Sequence, residues 1–450
     1  MDWKSRPPRA EVGALARLEH AERGSAASVA RTGRGAASVA GAPTTARGVG
    51  LPENPRFLAP FYCPVSLPTD PAPPLPRAGG AILIAAQSGR ALAAAARRAG
   101  LLPYVADLFG DADTRDLAAG YRRVPGRFGT GPRGAALVEA LAALAAEAGD
   151  PLGLVLGSGF EGSPALMRDL ALRHRLIGAA PDTVAALKHP ARLAALCARC
   201  GIPHPEIALA PVDDPRGWLL KRRGASGGGH VRPAPAGPLP RGAYLQRLVP
   251  GTARSLTVLA DGRDLRVVAD TAQWADPTPA RPFRYAGAVD PGGMPAGVRE
   301  AAAAALAALV AETGLRGLAS ADLVVEGSDW WLVEVNPRPG ATLDILDRRE
   351  EPLLARHVEA WAGRLGGTLA LPVDAAATQI CYAPWPIPLV PSVAWPDFVM
   401  DRPPAGSRIP AGAPICTVRA EGADARAALS EVRFRADAVR ALIAPEGDRS

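Results

Sequence analysis

The chain has 450 residues, 48% of them hydrophobic and 21% charged, with a formal net charge of +7. That balance fits a globular protein of two to four domains, and no apolar run reaches the roughly 18 residues of a membrane span. The positive charge favours anionic ligands such as nucleotides. With only 5% aromatic residues and no basic stripe interleaved with aromatics, it makes no case for nucleic acid.

Residues 1–78 read as a disordered tail: AASVA occurs at Ala26–Ala30 and again at Ala36–Ala40 without apolar periodicity, and Pro52–Pro76 is proline-dense. Order is expected from Ala81, where AILIAA is short and wholly apolar, as a buried parallel strand should be. A helix over Arg90–Ala99 and a strand over Pro103–Ala106 follow. Gly134–Ala148 and Pro164–Arg173 read as helices, Leu152–Leu156 and Leu176–Ile177 as strands, so residues 79–180 should form a small Rossmann-like α/β layer.

From residue 181 the texture becomes α+β. Asp182–Cys200 reads as one helix with Lys188 inside it. Gly217–Arg222 is a strand carrying Lys221, and the glycine-rich Gly224–Gly229 and His230 follow it. Ala243–Val249 is a strand, and Ser255–Ala260 and Leu265–Ala269 flank Asp261-Gly262, a hairpin signal. Arg299–Thr313 is a helix. Residues 181–366 should make two lobes around a cleft. Residues 367–450, with strands at Thr378–Tyr382, Gly406–Ile409 and Pro414–Arg419 and a helix from Ala423 to Ile443, should make a small accessory domain.

The chemistry concentrates at Ser320–Glu326 and Trp330–Val335, two strand-like runs joined by Gly327-Ser328-Asp329. A three-residue connection sets Asp322 opposite Glu334, with Asn336 on the same face and Arg338 beside them. Facing carboxylates repel, and a hard cation such as Mg²⁺ removes that penalty. Of 51 basic residues only Lys4, Lys188 and Lys221 are lysine, and a lysine kept among so many arginines suits a compact phosphate contact. The glycine loop lets backbone N–H groups approach phosphate oxygens. A rival reading gives no work to Lys188, Lys221 or the hairpin: Gly157–Gly162 is a GxGxxG between a strand and a helix, and Asp182, though preceded by Pro181, lies at the distance of a ribose-binding acid, as in dinucleotide oxidoreductases. The five cysteines are dispersed; Cys197 and Cys200 form a CxxC in a helical pattern that suits packing better than metal, and a reducing, cytoplasmic setting is expected.

EVNPRPG at Glu334–Gly340 resembles the metal-binding signature of ATP-grasp ligases. SGRALAAAARRAG, DLFGDADTR, LGSGFEG, LKHPARLAALCARCGIPHP and DRPPAGSRIPAGAPICTVRAEG resemble the predicted ATP-dependent carboligase branch of that superfamily. The resemblance spans residues 80–450 and implies an ATP-grasp fold behind a Rossmann-like layer. It implies that Lys188 and Lys221 bind ATP phosphates, that Gly227, Gly228 and Gly229 form the phosphate lid, and that Gln246, Arg247, Leu248 and Val249 form a hinge whose backbone meets adenine. Asp322, Glu334 and Asn336 become ligands of Mg²⁺ (or Mn²⁺), with Arg338 stabilising the transferred phosphoryl group and serving as their counter-charge. The hinge departs from many relatives in carrying Arg247, Thr252 and Ala253 where acids would meet the ribose. The implied activity is ligation of a small carboxylic acid to an amine, with a homodimer allowed and a one-carbon carrier of the methanopterin or methanofuran type as the pathway. A nucleotide-binding protein without turnover is the alternative. His230 and Arg284 lie where substrate could be, though a single His beside a loop is more often a satisfied surface residue.

Overall fold

The computed structural model describes residues 79–444; the expected tail lies outside them. The first layer runs β1 (Ala81–Ala85), α1 (Arg90–Arg98), β2 (Leu102–Asp107), α2 (Ala112–Leu117), β3 (Gly120–Arg123), the short β4 (Gly126–Arg127) and β5 (Gly131–Pro132), α3 (Gly134–Ala148), β6 (Leu154–Leu156) and α4 (Pro164–Arg173). Strands β3, β2, β1 and β6 form a parallel sheet in that order. Covered on both faces, β1 can be apolar throughout, and Ile82, Leu83, Ile84 and Ala85 are fully buried. Leu176 adds only an isolated bridge to Leu154.

The helix expected over 182–200 is broken. α5 (Pro181–Lys188) ends at Lys188, and α6 (Pro190–Arg199) starts afresh. Pro190 lacks an N–H to continue the ladder but suits the first turn of a new helix. The break makes Lys188 a helix-terminal residue rather than an interior one.

A small antiparallel sheet follows, in the order β7 (Ile207–Ala208), β10 (Ala243–Arg247), β8 (Trp218–Arg222), β9 (Arg232–Pro233), with its own core of Trp218, Leu220 and Leu245. The large sheet is built from β11 (Thr252–Asp261), β12 (Leu265–Ala275), β13 (Tyr285–Asp290), β14 (Arg316–Glu326), β15 (Asp329–Asn336), β16 (Ala375–Tyr382), β17 (Val399–Met400) and β18 (Pro414–Gly422). Its order is β15-β14-β11-β12-β13-β16-β18-β17, antiparallel throughout. α7 (Ala296–Thr313), α8 (Leu343–Leu346), α9 (Leu353–Trp361) and α10 (Ala425–Leu442) complete the described elements.

The C-terminal stretch has a core of its own, in which Val432, Ala436 and Val439 of α10 pack with Val418 and Ala420. Its strands nevertheless extend the large sheet through the β13–β16 pairing. Gly406–Ile409 is not a strand; Ile409 makes a single bridge to Ile387. No described helix is long and apolar enough to cross a membrane.

Candidate active site

The cleft lies between the small sheet, the large sheet and the C-terminal edge of the first layer. On its floor Asp322 of β14 pairs with Glu334 of β15, as the sequence suggested, but by a different construction. Glu326 pairs with Asp329 across a two-residue turn, which alone would set Asp322 against Val333. A β-bulge at Val333 shifts the register by one and restores the Asp322–Glu334 pair. The Val333 carbonyl then accepts from Gln246 Nε2 at 3.3 Å, tying the bulge to the small sheet.

Asn336 Nδ2 donates to Asp322 Oδ2 at 2.9 Å, and Ser255 Oγ of the adjacent β11 donates to Asp322 Oδ1 at 2.8 Å. Lys188 Nζ donates to Glu334 Oε1 at 2.6 Å and to Asn336 Oδ1 at 2.7 Å, from a side chain 5% exposed. The facing acids are therefore held by a lysine ammonium. Arg338, expected as their counter-charge, is engaged elsewhere: its Nε donates to Glu161 Oε1 at 2.7 Å. Lys221 Nζ donates to Gln246 Oε1 at 2.6 Å. The immediate site thus carries three cations, Lys188, Lys221 and Arg338, and three anions, Glu161, Asp322 and Glu334.

The protonation equilibria follow this geometry. Burial pushes the Asp322 carboxyl up, reinforced by Glu334 and opposed by Ser255, Lys188 and Arg338. Burial acts upward on Glu334 as well, but Lys188 and Lys221 outweigh it and hold that carboxyl below its usual range. For Glu161 burial again acts upward, yet Arg338, Lys188 and backbone N–H groups bring it down to about 2. Lys221 is pushed down by burial, against the pull of Glu334 and Asp322. Burial lowers the His230 imidazole to about 4, with Lys221, Arg222 and Lys188 adding to it and Glu334 opposing, so it is neutral at neutral pH.

The glycine loop bends down onto the β12–β13 connection. Gly227 O accepts from Tyr285 N at 3.0 Å, and Val231 N donates to Gly228 O at 3.0 Å. Gly228 has φ +68°, and a Cβ there would lie 1.9 Å from Phe283 O, so only glycine permits this approach. In the hinge, Arg247 N donates to Glu206 O and Leu248 N to Gly217 O, while Val249 N donates to no acceptor among the described residues. Arg247 stacks over Trp218, 5.3 Å from guanidinium carbon to ring centre. Thr252 Oγ1 donates to Val325 O, so its hydroxyl is committed to the sheet and not turned to a ribose.

His230 is no satisfied surface residue: Nδ1 is shut off from solvent without a partner. Arg284 is committed to structure, stacked 3.9 Å over Tyr382 and bonded to Asp276. Sequence reasoning passed over Tyr285, whose buried hydroxyl also lacks a partner. Burial and the nearby Asp322, Tyr382 and Asp344 hold its phenol above the usual range. Ser255 was missed too, although strand register alone could have placed it beside Asp322. Arg90 of the first layer is gripped by Asp344 and Asp401.

The glycines of Gly157–Gly162 do not form a pyrophosphate cradle. Gly159 N and Phe160 N, the donors such a turn would offer, both donate to Glu161 Oε2, at 2.7 and 2.9 Å. The turn is also packed shut: a Cβ on Gly131 would lie 1.9 Å from Gly159 O. Asp182, the supposed ribose acid, is an exposed side chain bonded to Arg168. The glycines serve close packing, and Glu161 fills its own backbone nest while aiming Arg338. Cys197 is buried in α6 with its thiol raised to about 12 by burial, consistent with packing. Among the described residues no group of three or more His, Cys, Asp or Glu side chains could hold a metal; the set at the hairpin is two carboxylates and an amide.

A family model for the ATP-grasp domain matches residues 194–342, which include Lys221, the glycine loop, the hinge and the whole hairpin set, and begin just after Lys188. Residues 194–342 are an ATP-grasp domain. The chain's fold is also that of solved ATP-grasp structures. The biotin carboxylase domain of the Hydrogenobacter thermophilus 2-oxoglutarate carboxylase, a dimer in complex with MgADP, ADP and bicarbonate, superposes with a TM-score of 0.63 at 13% identity, over 80% of this chain and 90% of that one. Biotin carboxylase from Campylobacter jejuni, in complex with β,γ-ATP, gives 0.62 at 13% identity, over 79% and 90%. The ADP complex of N5-carboxyaminoimidazole ribonucleotide synthetase gives 0.59 at 13% identity, over 80% and 97%. At such identities the likeness is one of fold. No curated protein matches the chain.

Proposed function

We propose that this protein is an ATP-dependent ligase that activates a carboxylate as an acyl phosphate and passes it to an amine. The observation that carries this reading is the bulged hairpin. It spends a register shift to face Asp322 with Glu334 and completes the set with Asn336, beside two buried lysines and a positioned arginine. The relatives in complex with MgADP, ADP or an ATP analogue support it by analogy.

The residues fit Mg²⁺. Two carboxylates and an amide oxygen are hard oxygen donors, and the position between Glu334 and Asn336 already attracts a cation, the Lys188 ammonium. When bound, Mg²⁺ supplies charge neutralisation and orientation of the phosphates. Asp322, Glu334 and Asn336 hold it. Lys188 is then free to turn from Glu334 to phosphate oxygens, and Lys221 stands ready as a desolvated second point charge. In the lid Gly227–Gly229 it is the Gly227 and Gly228 N–H groups that turn to the phosphates, that of Gly229 being given to Gly227 O, and the free Val249 N–H in the hinge meets the base. Arg338, fixed by Glu161, faces charge developing on the transferring phosphoryl group. No side chain need become covalently attached.

The narrower role, amine ligation during synthesis of a one-carbon carrier, rests on the sequence resemblance, as does a cytoplasmic site of action. A homodimer belongs to the same proposal, by analogy with the Hydrogenobacter domain. The test is Mg²⁺-dependent phosphate release from ATP against a panel of carboxylic acids and amines. Turnover that needs one acid and one amine supports the proposal. MgATP binding without turnover on any pair would favour the non-catalytic alternative.

A further inference from the structure

In the resting site every charged group is occupied by another. Lys188 is on Glu334 and Asn336, Lys221 on Gln246, Arg338 on Glu161, and Asp322 on Asn336 and Ser255. Two neutral groups beside them are idle and shut off from water: the Tyr285 hydroxyl and His230 Nδ1. Leaving a buried donor unpaired costs stability, so such groups need a reason to persist. These two are placed by one device. The Tyr285 N–H donates to Gly227 O, which fixes the lid, and His230 ends that lid three residues on. Tyr285 is held further by Tyr382, whose hydroxyl donates to its carbonyl at 2.8 Å. Electrostatically, His230 lies within reach of Glu334, Lys221 and Lys188, and Tyr285 within reach of Asp322 and Asp344.

We propose that the Tyr285 hydroxyl and the His230 imidazole are hydrogen-bond donors to the phosphoryl group in flight between ATP and the acid substrate. The inference rests on the ligase reading. In the step, the bond between the γ-phosphorus and the β–γ bridging oxygen breaks and a bond to a carboxylate oxygen forms. ADP takes the electron pair, and the acyl phosphate remains. Both donors being neutral, they add directionality without further charge to a site that balances three cations with three anions. Tyr285 is fixed to the lid through Gly227 and His230 closes the lid's end, so lid closure over the phosphates brings both donors in together.

The probe is MgADP with and without aluminium fluoride, which stands in for the transferring phosphoryl group, measured by calorimetry on the full chain. Wild type should bind MgADP, and more tightly when aluminium fluoride is added. Tyr285→Phe removes a single oxygen and should keep the MgADP affinity while losing about ten- to a hundredfold of the fluoride-dependent tightening, the worth of a bond to a charged acceptor. His230→Leu should do the same. Ligand-free, both variants should melt at or slightly above wild type, because each loses an unpaired buried group. Full tightening in both variants, or MgADP affinity lost in step with it, would overturn the assignment, the latter by making these residues nucleotide contacts. A wild type whose MgADP affinity is unmoved by fluoride would also overturn it while leaving ATP binding intact. Failure to bind MgADP at all would sink both this inference and the ligase reading.

Discussion

Glu161→Gln tests the positioning of Arg338 and has a magnitude set by the structure. The Glu161 carboxyl is 3% exposed and accepts from Arg338 and two backbone N–H groups, which bring it from its ordinary 4.5 down to about 2. Each tenfold change in proton affinity is worth about 1.4 kcal/mol, so the ionised carboxylate contributes roughly 3 kcal/mol. The sign follows from the lowered value: the contribution is fully present above the unfolded carboxyl's pKa and is lost as the pH falls through the folded one. Gln keeps the shape but offers one neutral acceptor to three donors and leaves the Arg338 guanidinium, 13% exposed, without its counter-charge. Urea unfolding at pH 7 should show the variant less stable by about 2–3 kcal/mol, and the gap should shrink to less than half by about pH 3 and close only as the pH falls through about 2. Nucleotide affinity should fall less than turnover, because Arg338 is lost to the moving phosphoryl group rather than to bound ATP. A gap of equal size at pH 7 and pH 3, or no gap at pH 7, would refute this account of the pair.

Lys188→Met leaves Glu334 and Asp322 facing with their nearest cation gone. The ligand-free protein should lose about 2–3 kcal/mol, less than a fully buried pair would cost because Glu334 is 29% exposed, and millimolar MgCl₂ should restore more stability to the variant than to wild type in thermal melts. Lys221→Ala should weaken MgATP binding about ten- to a hundredfold by calorimetry, and Lys221→Arg should not restore it, since a planar fork cannot occupy the point-charge position against Gln246. NAD and NADP should leave the melting temperature unchanged, because the Glu161 carboxylate already occupies the N–H nest of the glycine turn.

Much of the fold was legible because its signals are local. The apolar AILIA run, the Gly134–Ala148 helix and the paired strands around Asp261-Gly262 declare themselves within a dozen residues. The hairpin shows the limit of that method. The Asp322–Glu334 pair was inferred from a three-residue connection, whereas the chain makes a two-residue turn and a bulge at Val333 that alternation alone does not reveal. The site's pairings were out of reach for another reason. Lys188 meets Glu334 across 146 positions and Arg338 meets Glu161 across 177, and nothing in either neighbourhood announces the other. The GxGxxG misled because its spacing fits a phosphate turn; only the position of the Glu161 side chain shows the donors taken. Pro190 was a readable signal, and weighing it against the long helix would have set Lys188 at a helix end.

The most direct test of the central claim compares wild type with Glu334→Gln in thermal melts, with and without ATP and Mg²⁺. The variant relieves the repulsion on Asp322 but gives up the bond to Lys188, so its ligand-free fold should remain close to wild type. ATP with Mg²⁺ should raise the wild-type melting temperature by mass action and the variant's far less, with Mg²⁺-dependent ATP turnover abolished. Equal stabilisation of both proteins by ATP and Mg²⁺, with turnover intact in the variant, would contradict the assignment of Asp322, Glu334 and Asn336 as the metal site.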